Sequence, residues 1–334
     1  MMQAPYLITE TLLTGKCPAR PAFGHKGTFG RTLICAGTPG MGGAAYMAAS
    51  SALRSGTGLV YILTEQELLT PLMTLCPEAL GLAFPVKGKG ASPELVVSSE
   101  GPVSRPVAGK GNGPLIRNGN LVAGTAPFAK WFTRQLSEKD AVLIGPGIPP
   151  ESERLGIMIR IAAEHAPHLV LDAGALSRLA ADTETMQVVS LRPSRGLAPA
   201  ILTPHIGEFS RFVPNYKKGD MRRPGTWAEE NGFTLVLKSH ETNIFTSDGK
   251  WYSNSVSNTG LAKGGSGDVL AGLLTGLLAQ GMPEEEASVC AVGIHSLAGQ
   301  LCAKEHGRRA MLPTMLWDYY DKCFAMLKWE EGME

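Results

Sequence analysis

The sequence predicts an α/β protein with a mostly parallel central sheet flanked by helices. Three observations carry this. Short apolar runs recur along the chain and end in turns rich in Gly, Pro or Asp. Amphipathic stretches of helical spacing separate several of them, the pattern of strand–helix–strand units. Near the C-terminal end, a polar glycine-rich segment runs into an apolar, small-residue helix. At 334 residues with 44% hydrophobic content, the chain can bury one large core. We therefore expect one domain over residues 1–334.

In chain order, residues 1–30 form a polar lead-in ending in His25-Lys-Gly-Thr-Phe-Gly30. Thr32–Ala36 reads as a buried strand, 37–43 as a loop, Ala44–Ser55 as an alanine-rich helix and Leu59–Leu63 as the next strand. The loop is either a connector or, by its place after a strand, part of a ligand crevice. Residues 84–139 are rich in Gly, Pro and Ser with little periodicity. They read as a loop insertion, with a lid, a subunit contact and a disordered loop left open.

Regular patterning resumes at the strand Asp140–Ile144, which ends in Gly145-Pro-Gly147, where glycines let a ligand approach the backbone. After a helix over 151–165, the strand Leu169–Leu171 delivers Asp172, as a helix cap or as a group for metal or substrate. The strand Ala200–Leu202 leads to Thr203-Pro-His205-Ile-Gly-Glu208; taken alone, His205 reads as structural. Thr234–Leu237 delivers Lys238, which either reaches solvent or meets a ligand. Asn243–Thr246 and Lys250–Ser253 read as a hairpin with a two-residue turn at Asp248-Gly249. Glu284–His306 reads as an amphipathic helix with His295 packed in its apolar face. A last helix is expected over 311–328.

The chain is organised around Asn258–Asp268 and the helix that follows it. A glycine loop entering a helix leaves the first N–H groups unpaired and aimed at one point, which favours an anion. A carboxylate there repels the anion unless it handles a proton or a metal ion; the alternative is that Asp268 caps the helix. The segment fits neither a phosphate loop of the Gly-Lys-Ser/Thr type nor a dinucleotide fingerprint.

Composition narrows the function. A formal charge of +1 argues against nucleic acid or an anionic membrane as partner. Six cysteines without CxxC spacing read as buried free thiols, with no zinc site. No signal peptide or membrane span is readable, so a cytoplasmic protein is expected.

The run Gly264-Gly-Ser-Gly-Asp268-Val-Leu-Ala-Gly272 resembles the anion-hole motif of the ribokinase-like superfamily. There the glycines hold the transferred phosphate and the aspartate is the catalytic base. Taken with His25–Gly30, Gly40–Ala45, Gly145–Gly147 and Thr203–Glu208 in order, the chain resembles the ADP- or ATP-dependent NAD(P)H-hydrate dehydratases. The resemblance implies a ribokinase-like three-layer sandwich. It also implies nucleotide-driven dehydration of the S-form of hydrated NADH or NADPH (NADHX, NADPHX), with release of phosphate. On that reading Asp268 is the catalytic base, and Ala44, Gly145, Gly147, His205 and Asp268 meet the hydrate. Lys238, Ser239, His240, Glu241 and Thr242, with Gly264, Gly265 and Gly267, meet the nucleotide; Ser239 stands where the family has glycine. ADP or ATP is the co-substrate and Mg²⁺ accompanies it, its protein ligands not readable. A homo-oligomer is expected. A separate NAD(P)HX epimerase is also expected, because only about thirty residues precede the first motif. Two alternatives remain: a ribokinase-like kinase of a vitamin precursor, which needs neither His25–Gly30 nor Thr203–Glu208, and a non-catalytic nucleotide-binding regulator, against which Asp268 speaks.

Overall fold

The computed structural model describes residues 4–18, 20–85, 116–117, 120–121 and 126–329. Its strands are β1 (Tyr6–Leu7), β2 (Arg31–Cys35), β3 (Leu59–Thr64), β4 (Leu80–Ala83), β5 (Ile116–Arg117), β6 (Asn120–Leu121), β7 (Ala141–Ile144), β8 (His168–Leu171), β9 (Ile201–Leu202), β10 (Thr234–Leu237), β11 (Thr242–Phe245) and β12 (Trp251–Asn254). Ten of them form one sheet in the order β1-β12-β11-β10-β9-β8-β7-β2-β3-β4, while β5 and β6 pair with each other. Within the large sheet only the pairings of β11 are antiparallel. The chain winds outward from the centre in both directions, so a crevice opens between β2 and β7 at the carboxyl ends of the strands.

The strands are apolar on both faces because both faces are covered. Ile34 of β2 and Ala36 after it point into one core, Leu33 and Cys35 into the other. The first core is filled from α1 (Glu10–Leu13), α2 (Gly42–Arg54), α3 (Gln66–Leu75), and from α10 (Ser266–Ala279), α11 (Glu284–Ala310) and α12 (Tyr320–Met326). The second takes α4 (Ala126–Leu136), α5 (Glu153–His165), α6 (Gly174–Ala181), α7 (Thr183–Ser190), α8 (Ile206–Phe212) and α9 (Arg222–Asn231). The result is a three-layer sandwich. Among the described residues no helix is long and apolar enough to cross a membrane.

Helix α10 is the central buried element, and glycines let it approach α2 backbone to backbone. A Cβ at Gly272 would stand 2.1 Å from the Ala48 carbonyl oxygen, and one at Gly276 would stand 2.2 Å from Ser55 Oγ. The N-terminus of α10 therefore lies at the carboxyl ends of the strands, and its C-terminus at their amino ends.

Three expectations change. Residues 126–136, assigned to a loop insertion, form α4, with Phe132 and Leu136 buried in the second core. Phe128, Ala129, Phe132 and Leu136 have helical spacing, masked in the sequence by Pro127 and the glycine-rich run before it. The rest of the insertion from 86 to 125, β5 and β6 apart, lies outside the described residues. The hairpin turn spans three residues: Thr246 N bonds Lys250 O at 3.0 Å, Gly249 N bonds Thr246 O at 3.1 Å, and Gly249 has φ +86°. That is the three-residue loop with a left-handed glycine. Finally, 311–328 is broken into a 3₁₀ turn over Pro313–Tyr319 followed by α12, since Pro313 starts a new element.

Candidate active site

Strands β8, β9 and β10 end side by side and each delivers a polar residue. Lys238 N bonds Pro204 O at 2.8 Å, which extends the β9–β10 ladder one step and brings His205 beside Lys238. Asp172, from β8, is 2% exposed. Its Oδ1 accepts from Thr203 Oγ1 and from Lys238 Nζ, each at 2.8 Å. The capping alternative for Asp172 fails, since Ala173 takes the cap position of α6 with no side-chain cap bond. Ala173 has φ 50° and ψ −115°, a strained turn for a non-glycine residue. Gly145 makes room for that turn: a Cβ there would lie 2.0 Å from Asp172 O. Gly145 is itself buried, so its glycine answers to packing.

The first turn of α10 sits over this pair. Gly265 is the N-cap, at φ +98° and with no side-chain cap bond, so Asp268 is the third helical residue and not the cap. Ser266 N turns back to Lys263 O at 3.2 Å. The N–H groups of Gly267 and Asp268 have no carbonyl to meet within the helix. A Cβ at Gly267 would stand 3.1 Å from Lys238 Nζ and 3.9 Å from Asp172 Oδ2, whereas one at Gly264 would meet nothing within 4 Å. Gly264 is thus the open member of the loop. Gly265 packs on Met47 of α2, whose Sδ would be 2.3 Å from a Cβ there.

Electrostatics follow from this stacking. Burial pushes the Asp268 carboxyl up to about 7, the charge of Asp172 adds to the rise, and Lys238 opposes it. Burial alone would lower the Lys238 ammonium, yet the charge and hydrogen bond of Asp172, with the charges of Glu208 and Asp268, raise it. From α11, buried His295 places Nε2 3.1 Å from Ser266 Oγ. Burial, helped by the Lys238 charge, lowers His295 to about 4, so it is neutral at pH 7. Nothing in the sequence singled out this His–Ser pair, and packing was the expected role of His295.

His205 is the N-cap of α8 in a capping box: Glu208 N donates to its Nδ1 at 3.2 Å, and His205 N donates to Glu208 Oε2 at 2.9 Å. The ring stays exposed, with Nε2 3.6 Å from Glu208 Oε2. The spacing His-x-x-Glu was the readable signal for that cap. Ser239 Oγ donates to Glu241 O at 2.5 Å, closing a tight local turn; His240 and Glu241 are exposed and Thr242 opens β11. Across the crevice, Thr38 Oγ1 donates to Gly147 O at 2.8 Å, and a Cβ at Gly147 would be 3.0 Å from that of Ala44. Gly147 therefore meets Ala44, which lies on the same helix α2 that carries Met47 to the glycine loop.

The His25–Gly30 motif lies elsewhere. A Cβ at Gly30 would meet Ala279 O at 2.0 Å, and one at Gly58 would meet Lys26 O at 1.9 Å. This segment closes over the C-terminus of α10, about 17 Å from Asp268 at 1.5 Å per residue. Among the described residues no group of three or more His, Cys, Asp or Glu side chains could hold a metal ion.

A family model described as NAD(P)H-hydrate dehydratase matches residues 32–113 and 117–322. The chain belongs to the NAD(P)H-hydrate dehydratase family. The match runs through most of the stretch expected to be an insertion. A bifunctional NAD(P)H-hydrate repair enzyme of Moorella thermoacetica is 30% identical over 98% of this chain, which spans 55% of that protein's length. Among solved structures, the ADP/ATP-dependent NAD(P)H-hydrate dehydratase of Bacillus subtilis, co-crystallised with ATP/Mg²⁺, is 27% identical with a TM-score of 0.70. That comparison covers 98% of this chain and 100% of the other. A ribokinase-like superfamily protein of Enterococcus faecalis, 24% identical, gives a TM-score of 0.72 over 98% of each chain. The fold is the ribokinase-like one expected from the sequence.

Proposed function

We propose that this chain uses ADP or ATP to dehydrate the S-form of NADHX or NADPHX back to the dihydronicotinamide. One observation carries the reading: a carboxyl raised to about 7 stands in the first turn of a buried helix, among N–H groups with no helical partner. Such a group can take a proton at neutral pH beside a site that attracts phosphate.

Asp268 accepts the proton of the substrate's C6 hydroxyl as that oxygen attacks the terminal phosphorus, breaking the phosphoanhydride bond. The N–H groups of Gly264, Gly265, Gly267 and Asp268 face the charge on the phosphoryl oxygens. Ser266 N–H is left out of that set because Lys263 O already takes it. Loss of phosphate from C6 and of a proton from C5 then restores the ring double bond. Ala44, Gly147 and His205 Nε2 border the place for the hydrate, and Ser239–Thr242 edge the nucleotide. Mg²⁺ is expected with the nucleotide, as in the Bacillus subtilis crystals. The described residues offer no dedicated cage of His, Cys, Asp or Glu for it, and Mg²⁺ commonly binds through substrate phosphates and retained waters. An NAD(P)HX epimerase activity would supply the S-form.

The test mixes the protein with hydrated NADH, Mg²⁺ and either nucleotide, and follows the near-ultraviolet absorbance of dihydronicotinamide. Recovery with ADP, ATP or both is expected. No recovery with either, alongside phosphorylation of a vitamin-precursor alcohol, would replace this reading with the kinase.

A further inference from the structure

The proposed chemistry leaves the Asp172–Lys238 pair without a task. Burying two charges is costly, and a lysine meant chiefly for phosphate would leave its ammonium free. Here the ammonium is bound by a carboxylate that is 2% exposed, and Thr203 anchors the same oxygen. The pair also abuts the backbone of α10 at Gly267, where any side chain would crowd Lys238 Nζ.

We infer that Asp172 is a positioning residue, which holds the Lys238 ammonium against the first turn of α10 so that the pair sets the proton affinity of Asp268. The inference rests on the reading of Asp268 as base. With the pair intact, two opposite charges lie near Asp268 and act against each other, and burial is the leading influence on its carboxyl. A base works best when its proton affinity matches the working pH. Lys238 without Asp172 would hold Asp268 as a firm carboxylate and a poor acceptor. Asp172 without Lys238 would keep Asp268 protonated. Among the described residues, the other titratable groups facing the cluster are Glu208 and His205 at the start of α8, and His295 from α11. Glu208 is engaged by the His205 backbone, and His295, lowered to about 4, carries no charge near neutrality.

The experiment follows the Asp268 carboxyl by carbon-detected NMR in the free protein, assigned by its loss in Asp268→Asn, and compares the pH dependence of kcat. In Asp172→Asn both the carboxyl titration and the acidic limb should move down by about one pH unit. In Lys238→Met the carboxyl titration should move up. Loss of turnover in Asp172→Asn with both midpoints unmoved would make the pair purely structural and overturn the inference. Should Asp172→Asn fail to fold, as judged by near-ultraviolet circular dichroism, Lys238→Met decides alone, and an unmoved carboxyl there overturns it too. The carboxyl readout needs no turnover. Shifts in the stated directions without NAD(P)H recovery would sink the proposed reaction and leave the electrostatic arrangement standing.

Discussion

At Asp268 two requirements pull against each other. Its carboxyl titrates near 7 in the fold against an ordinary 3.8, so ionising it costs the folded state more than the unfolded one. The favourable contribution of the protonated form is therefore whole below about pH 4 and is lost as the pH rises through about 7. Asp268→Asn removes a group that is penalised at alkaline pH. Its melting temperature should exceed the wild type's there, and the gap should close in mild acid. Turnover should fall at least ~10²-fold, since an amide takes no proton. Melting curves at the two pH values, with a dehydration assay on the same preparation, check both halves; a variant less stable at alkaline pH would give the carboxylate a bonding role instead. Gly264 offers a second test, because a methyl there meets nothing within 4 Å and its φ is not left-handed. Gly264→Ala should change stability by no more than ~0.5 kcal/mol. Nucleotide affinity by calorimetry should drop, because the methyl intrudes where backbone should meet phosphate.

Elements divide the glycines of the central motif in a way the linear sequence does not. The crowd at 260–272 reads as one anion site, yet only Gly264, Gly265 and Gly267 lie at the loop. Gly260 makes room for Met311, and Gly272 for the Ala48 carbonyl on α2. In sequence, a glycine for a ligand and a glycine for a neighbouring helix look alike. Gly272→Val should cost about 1–3 kcal/mol through overpacking, measured by urea denaturation, without changing nucleotide affinity per folded molecule. Arg192 had no sequence signal at all. It is fully buried, and its guanidinium donates to the carbonyls of Ala162, Ala163, Ala166, Pro167 and Ala198 at 2.8–3.1 Å. Burial, opposed by Glu284, lowers it only to about 10, so it stays charged at neutral pH and ties the end of α5 to the 192–198 turn. Arg192→Met fills similar space but orphans those carbonyls, and a loss of roughly 3 kcal/mol or more is expected in the same denaturation measurement.

At the scale of the molecule, the sheet has two poles and α10 joins them. The carboxyl pole holds Asp172, Lys238 and Asp268; the amino pole holds His25–Gly30 and the start of α11. The strands and their order of appearance were legible because buried parallel strands are short apolar runs ending in turn residues. The pole of each motif was less so: His25–Gly30 was expected to be part of the family pattern, but nothing in its residues tells that it packs on the far end of α10. Contacts between distant segments were not legible either. Lys238 and Asp172 stand 66 residues apart and meet only because β9 lies between their strands. The amino pole has its own fastening, in which Glu284, Glu285 and Glu286 open α11 and each reaches a different segment. Glu284 pairs with His168 at the start of β8 and Glu286 with Lys16 of the lead-in. Glu285 takes both Lys250 Nζ, at 2.6 Å, and the Tyr252 hydroxyl from the β11–β12 hairpin. The Lys250 link is solvent-exposed and contributes little, whereas Tyr252 is buried and its bond to a charged acceptor is the stronger tie. Glu285→Gln should therefore lower stability by about 1–2 kcal/mol. Because about 17 Å of α10 separates the poles, kcat and nucleotide affinity should stay within about twofold of wild type. Thermal melts and steady-state kinetics on one preparation measure both. A large fall in kcat at unchanged stability would mean that the hairpin carries strain across the sheet to Lys238, and the separation of the poles would not hold.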